Sequence, residues 1–135
     1  MTLYMLDTDM SSYIIRERPA SVKNKFQQVS MHQLCISSIT YAELLYGVER
    51  SSSQKTNRFH VDDFASRLYI KPWDEAAAEH YAQIRCYLEK NGTPIGGMDM
   101  QIAAHARSLN AVVVTNNMRH FERVPDLKIE NWVNQ

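Results

Sequence analysis

Cysteine is nearly absent from this chain: its 135 residues include two, Cys35 and Cys86, far apart and outside any C-x-x-C spacing. That rules out a disulfide framework, a thiolate zinc centre and a paired-cysteine redox motif. Cys35 lies in the apolar run Leu34-Cys35-Ile36 and reads as a small buried thiol. The five histidines (His32, His60, His80, His105 and His120) also lack zinc-ligand spacing. Charge of one sign is missing too, since fifteen basic and fifteen acidic side chains give a formal net charge of zero. Affinity for a polyanion would therefore have to come from an uneven distribution of those charges. No apolar run approaches the roughly 20 residues of a membrane span, and no basic stretch followed by an apolar one opens the chain. No membrane association and a reducing cytoplasm are expected. Repeats, low-complexity tracts and linkers are absent, so a single domain over residues 1–135 is expected. A composition of 44% hydrophobic and 22% charged residues suits a globular fold with a real core.

What is present is short apolar segments alternating with amphipathic ones. Leu3 to Leu6 predicts a buried strand stopping at Asp7, with Asp9 as cap of a helix running to about Glu17, where Pro19 breaks it. A second helix is expected over Ala20 to Val29, a strand over Leu34 to Ser37, and a helix opened by Ser38 or Thr40 that carries Leu44, Leu45 and Val48. After a turn at Ser51–Ser53, Val61, Phe64, Ala65 and Leu68 mark a helix leading into Tyr69-Ile70. Ala77, Tyr81, Ile84 and Leu88 recur at helical spacing after Asp74, with Gly92 as terminator. Ile102, Ala103, Ala106 and Leu109 form one face of another helix. Ala111 to Val114 reads as a strand and Lys128 to Trp132 as an edge strand. Strands joined through helices imply crossover connections and a mainly parallel sheet covered on both faces.

In such sheets sites form beyond the carboxyl ends of the strands. Asp7 ends the first strand, Glu43 lies early in the helix after the second, and Asn116 and Asn117 follow the valine-rich strand. Asp99 opens the Ile102 helix on its docked face. Each carboxylate has a structural explanation: a helix start for Asp7 and Asp9, a Thr40–Glu43 capping box, and a favourable helix dipole for Asp99. Together they suggest more. Like charges about 5 Å apart repel by roughly 3 kcal/mol at an effective dielectric near 20, and a hard divalent cation with oxygen ligands offsets that cost. Carboxylate and amide donors point to Mg²⁺ or Mn²⁺, which can activate water toward a phosphodiester.

Four ordered stretches carry a resemblance: Tyr4-Met5-Leu6-Asp7-Thr8-Asp9, Ile36 through Gly47 (with Thr40-Tyr41-Ala42-Glu43), Pro94 through Ala103 (with Gly97-Met98-Asp99), and Val113-Val114-Thr115-Asn116-Asn117. They closely resemble the motifs of PIN-domain ribonucleases, in particular the VapC toxins of bacterial VapBC toxin–antitoxin modules. The similarity continues through Phe121-Glu122-Arg123-Val124-Pro125 to Trp132. It implies a PIN-like three-layer α/β/α sandwich with a mainly parallel sheet, and Mg²⁺- or Mn²⁺-dependent hydrolysis of RNA, transfer RNA before ribosomal RNA, to 5′-phosphate and 3′-hydroxyl ends. By that resemblance Asp7 and Asp99 are the principal metal ligands. Glu43 reaches the metal or positions the nucleophile, and Thr8, Ser38 and Thr115 supply supporting hydroxyls. A homodimer silenced by a VapB-type antitoxin is implied as well.

Three positions depart from the family pattern. Asn117 stands where many relatives have a fourth acid, and it can orient water or ligate a hard ion without adding charge. His120 replaces an acid before Phe121 and would face phosphate or solvent, and Asp9 replaces a common Asn and reads as a helix cap. Arg119 and Arg123 are candidate RNA contacts, with Arg16, Arg18, Lys23 and Lys25 a second basic cluster. Tyr13, Ile14 and Phe59–Phe64 are candidates for an antitoxin groove or for the core. Two other functions compete. A degenerate PIN scaffold could serve as a binding module, as Asn117 suggests. A haloacid-dehalogenase-like phosphatase could use Asp7 and Asp9 in Asp7-Thr8-Asp9-Met10-Ser11, although its later Lys and acidic pair are missing.

Overall fold

A computed structural model describes residues 1–133. Its five strands are β1 (Tyr4–Leu6), β2 (Leu34–Ser37), β3 (Tyr69–Lys71), β4 (Val112–Val114) and β5 (Lys128–Glu130). They form one sheet in the order β3-β2-β1-β4-β5, with every pairing parallel. The connections hold helices α1 (Thr8–Arg16), α2 (Ala20–Gln28), α3 (Ser38–Glu49), α4 (Gln54–Ala65), α5 (Glu75–Lys90), α6 (Gly97–Ser108) and α7 (Met118–Phe121). The expected α/β/α architecture is the one observed.

The alternation of side chains along each strand divides the interior in two. Leu6, Ile36 and Val114 pack with Met10, Ile14, Phe26, Leu44, Val61 and Phe64 on the face covered by α1 to α4. Met5, Cys35 and Val113 pack on the other face with Ile84, Leu88, Ile102, Ala103, Ala106 and Phe121. The small side chains Ala103, Ala104 and Ala106 are all fully buried and let α6 approach its neighbours closely. Ile102, Ala103 and Ala106 of the stripe read from the sequence are docked, whereas Leu109, just past the helix end, is exposed. Cys35 is buried, and burial pushes its thiol up to about 12, so it is a packing group.

Helix boundaries differ from the expectations chiefly at their caps. Asp7, not Asp9, caps α1: its Oδ1 accepts from the Met10 amide at 2.8 Å, while Asp9 is exposed in the first turn. The Thr40–Glu43 capping box does not form, because Ser37 caps α3 by accepting from the Ile39 amide and Thr40 is buried inside the helix. Asp74 caps α5 as expected, and Gly92, at φ 67°, follows its end in the left-handed region that glycine adopts without penalty. The last strand ends at Glu130 rather than Trp132.

Trp132 instead turns into the core, with no exposed surface, its ring 5.8 Å edge-on to Tyr4 and its Nε1 donating to Glu130 Oε1 at 2.9 Å. Trp132→Ala should therefore cost about 3–5 kcal/mol in urea unfolding, with Trp132→Phe losing clearly less. Equal and small losses would mean the indole is dispensable to the core.

Candidate active site

The strand order reverses between β1 and β4, and this is where a parallel sheet opens a crevice at its carboxyl edge. Leu6 pairs with Val114, and the Asp7 amide donates to the Val114 carbonyl at 3.1 Å. Asp7 and Thr115 therefore leave adjacent strands side by side. One Asp7 oxygen is committed to the α1 cap. The carboxyl group is 3% exposed, and desolvation raises its pKa to about 7, with Asp9 and Asp99 adding to the rise and hydrogen bonds from Thr115 and Met10 opposing it. Asp99, in the first turn of α6, is thus brought electrostatically against Asp7 from a distant part of the chain.

Asn117 and His120 complete this cluster. The Asn117 Nδ2 donates to Asp99 Oδ2 at 3.2 Å and lies 2.8 Å from His120 Nδ1, which is itself 3.1 Å from Asp99 Oδ2. His120 therefore meets the carboxylate, a contact absent from the sequence reading, while its side chain stays partly open to solvent. A polar residue one turn after Asn117 on a helix was the available signal. Thr115 Oγ1 accepts from the Asn117 amide at 2.8 Å, fixing the loop that carries the amide side chain.

Glu43 is placed differently. It lines a cleft of about 960 Å³ with Thr8, Ser12, Arg16, Arg18, Arg50 and His60, between α1, α3 and α4. Among the described residues no three Asp, Glu, His or Cys side chains gather closely enough to hold an ion by themselves. Of the three expected carboxylates, Asp7 and Asp99 lie within electrostatic range of each other, and Glu43 lines the cleft that also holds Thr8.

Of the expected supporting hydroxyls, Thr115 acts on Asp7 and Asn117. Thr8 donates to Thr40 Oγ1 at 3.3 Å, and Ser38 accepts from the Trp73 amide at 3.0 Å, so neither is engaged with a carboxylate. Arg119 is exposed, and Arg123 donates to the Pro94 carbonyl at 3.0 Å, tying the end of α7 to the loop before α6. Ile14 and Phe64 belong to the core, whereas Phe59 is exposed and Tyr13 lies under Arg16, 5.3 Å from the guanidinium. Two residues beyond the expectations hold α6 in place. Trp73 Nε1 donates to the Gln101 carbonyl at 2.9 Å, and buried His105 lies 2.8 Å from Ser37 Oγ, its pKa lowered mainly by burial. A histidine within an otherwise apolar helical stripe was the sequence signal for the second.

The donor set fits a hard divalent ion. Two carboxylates and an amide, with water completing the shell, is an ordinary magnesium environment, and a cation would relieve the burial and like-charge cost recorded in Asp7.

With this geometry established, the chain can be placed among known proteins. The PIN domain family matches residues 4–127, so the chain belongs to the PIN-domain family and is a nuclease. Within that family it stands with the VapC ribonucleases. It is 43% identical over 132 residues to the tRNA(fMet)-specific endonuclease VapC of Shigella flexneri, covering 98% of this chain and 99% of that one. It is 45% identical over 133 residues to ribonuclease VapC2 of Haemophilus influenzae, covering 98% of this chain and all of the relative. The fold superposes on the DNA-bound VapBC structure from Salmonella typhimurium with a TM-score of 0.92 at 44% identity, covering 98% and 99% of the two chains. The phosphatase reading is overturned by this membership and by the exposed position of Asp9.

The raised pKa of Asp7 has a consequence for stability. An unfolded Asp releases its proton near 3.8 and folded Asp7 near 7, so in chelator the group favours the folded state most below the lower value. Stability falls as pH rises between the two, by on the order of 4 kcal/mol in all. Asp7→Asn keeps a good cap and should flatten that slope, making the variant more stable than wild type at pH 8 with EDTA. Parallel slopes in urea titrations from pH 4 to 8 would contradict the assignment.

Proposed function

We propose that the chain is a Mg²⁺- or Mn²⁺-dependent endoribonuclease that cleaves transfer RNA and is the toxin of a VapBC-type pair. The observation that carries this is the meeting of Asp7 and Asp99 beside Asn117 at the crevice between β1 and β4. Asp7 and Asp99 would hold the ion, with Asn117 turning its amide oxygen toward it. When bound, the ion supplies positive charge that activates water and neutralises charge developing on the phosphate.

The remaining chemistry belongs to the chain. Glu43 takes the proton from the attacking water at a carboxylate oxygen. Attack on phosphorus breaks the bond to the 3′-oxygen, which leaves with a proton from solvent, giving 5′-phosphate and 3′-hydroxyl ends. Thr115 keeps Asp7 and Asn117 in register, and the Trp73 contact anchors the turn that bears Asp99.

A neutral protein binds RNA through local charge, and the cleft that holds Glu43 gathers Arg16, Arg18 and Arg50 on its walls. These groups, with Arg119 at the crevice edge, would engage phosphates on either side of the scissile bond. The tRNA(fMet)-specific name of the Shigella flexneri and Salmonella typhimurium relatives supports transfer RNA as target. The VapBC complexes among the similar structures support a VapB-type antitoxin as partner, and the toxin is proposed to pair as a homodimer. No described helix is long and apolar enough to cross a membrane, and with the free thiols Cys35 and Cys86 the cytoplasm is the proposed location. The binding-module reading rests on Asn117 alone, and Asn117, which donates from Nδ2 to Asp99, needs only to turn its amide over to offer an oxygen to an ion.

Cleavage of transfer RNA should be abolished by EDTA, restored by Mn²⁺ or Mg²⁺, and reduced about 100-fold or more by Asp7→Asn or Asp99→Asn. Cleavage at wild-type rates by both variants would refute the proposal. Arg119→Glu and Arg50→Ala should each weaken RNA binding and lower the slope of log affinity against log salt by about one. An unchanged slope would remove that residue from the interface.

A further inference from the structure

Three polar atoms form a nearly equilateral triangle at the mouth of the crevice. Its corners are Asp99 Oδ2, the Asn117 amide and His120 Nδ1, and its edges measure 3.2, 2.8 and 3.1 Å. An octahedral ion with bonds of about 2.1 Å places adjacent ligand atoms about 3.0 Å apart, so the triangle has the size of one face of such a shell. The side chains reach it from two elements, Asp99 from α6 and His120 with Asn117 from α7 and its cap.

Two rearrangements turn these hydrogen-bonding atoms into donors without moving the backbone. Rotating the Asn117 amide by half a turn exchanges Nδ2 for Oδ1 at the triangle. A neutral imidazole with its hydrogen on Nε2 presents a lone pair at Nδ1.

We infer that His120 joins Asp99 and Asn117 as a direct ligand of the divalent ion, with Asp7 reaching that ion through water because no three Asp, Glu or His side chains converge on one point among the described residues, and that its nitrogen makes this site favour Mn²⁺ over Mg²⁺. The inference rests on the metal-dependent reading above. Its physical basis is donor softness: Mg²⁺ is suited by carboxylate, carbonyl and water, whereas imidazole binds transition ions. The departure from an acid at this position thus replaces an anionic donor by a neutral nitrogen.

The test uses Mn²⁺ itself on the full chain, read by electron spin-echo envelope modulation for nitrogen coupling and by calorimetry with Mg²⁺ as competitor. Wild type should show ¹⁴N coupling that His120→Ala and His120→Asp both lose. His120→Ala should bind Mn²⁺ roughly tenfold more weakly and move the Mn²⁺/Mg²⁺ ratio toward Mg²⁺. The His120 side chain is 39% exposed, so both variants should fold, and circular dichroism verifies this. Mn²⁺ binding that needs Asp99 but shows no ¹⁴N coupling lost with His120, or an unchanged metal ratio in His120→Ala, overturns the inference and leaves the metal site standing. Failure of wild type to bind Mn²⁺, or equal binding by Asp99→Asn, removes both.

Discussion

Everything at this site depends on a carboxyl group held out of water at the end of a central strand. Asp7 is fixed there by the chain on both sides: its backbone continues the β1–β4 pairing through the Val114 carbonyl, and its side chain caps α1. The cap uses one oxygen, and Thr115 also hydrogen-bonds the carboxyl group. Burial makes the ionised form costly, and Asp99 adds repulsion. The same residue is thus a helix cap whose ionised form burial penalises, and the divalent cation proposed above would offset that cost.

The rest of the fold can be understood as the support for that arrangement. Parallel strands bring Asp7 and Thr115 out on one edge, while α6 must deliver Asp99 to the same place from a helix that follows another helix. Small alanines let α6 lie close, and Trp73 and His105 hydrogen-bond it to the ends of β3 and β2. The precision of the site is therefore carried by rigid elements rather than by loops, as preorganised chemistry requires.

The replacement of acids by Asn117 and His120 changes the site's electrostatics more than its shape. Relatives with a carboxylate at either position would add another negative charge beside Asp99. Here an amide and an imidazole stand beside Asp99, so fewer like charges must be reconciled. Glu43 lies on the wall of a cleft that it shares with Arg16, Arg18 and Arg50.

Local sequence determined the strands, their alternation between two cores, the α6 stripe and the presence of Asp7, Asp99 and Asn117 at one sheet edge. Those features follow from periodicity and from the rule that parallel crossovers expose strand ends. What tertiary structure alone decided was which group satisfied which neighbour. Asp7 rather than Asp9 became the cap, and Ser37 displaced the Thr40–Glu43 box. Glu43 came to line a cleft with three arginines, and His120 came into contact with Asp99. Capping and hydrogen-bond partners are chosen among nearly equal local options, and the choice falls to whichever side chain burial and a distant element bring within reach, information that spacing along the chain does not hold.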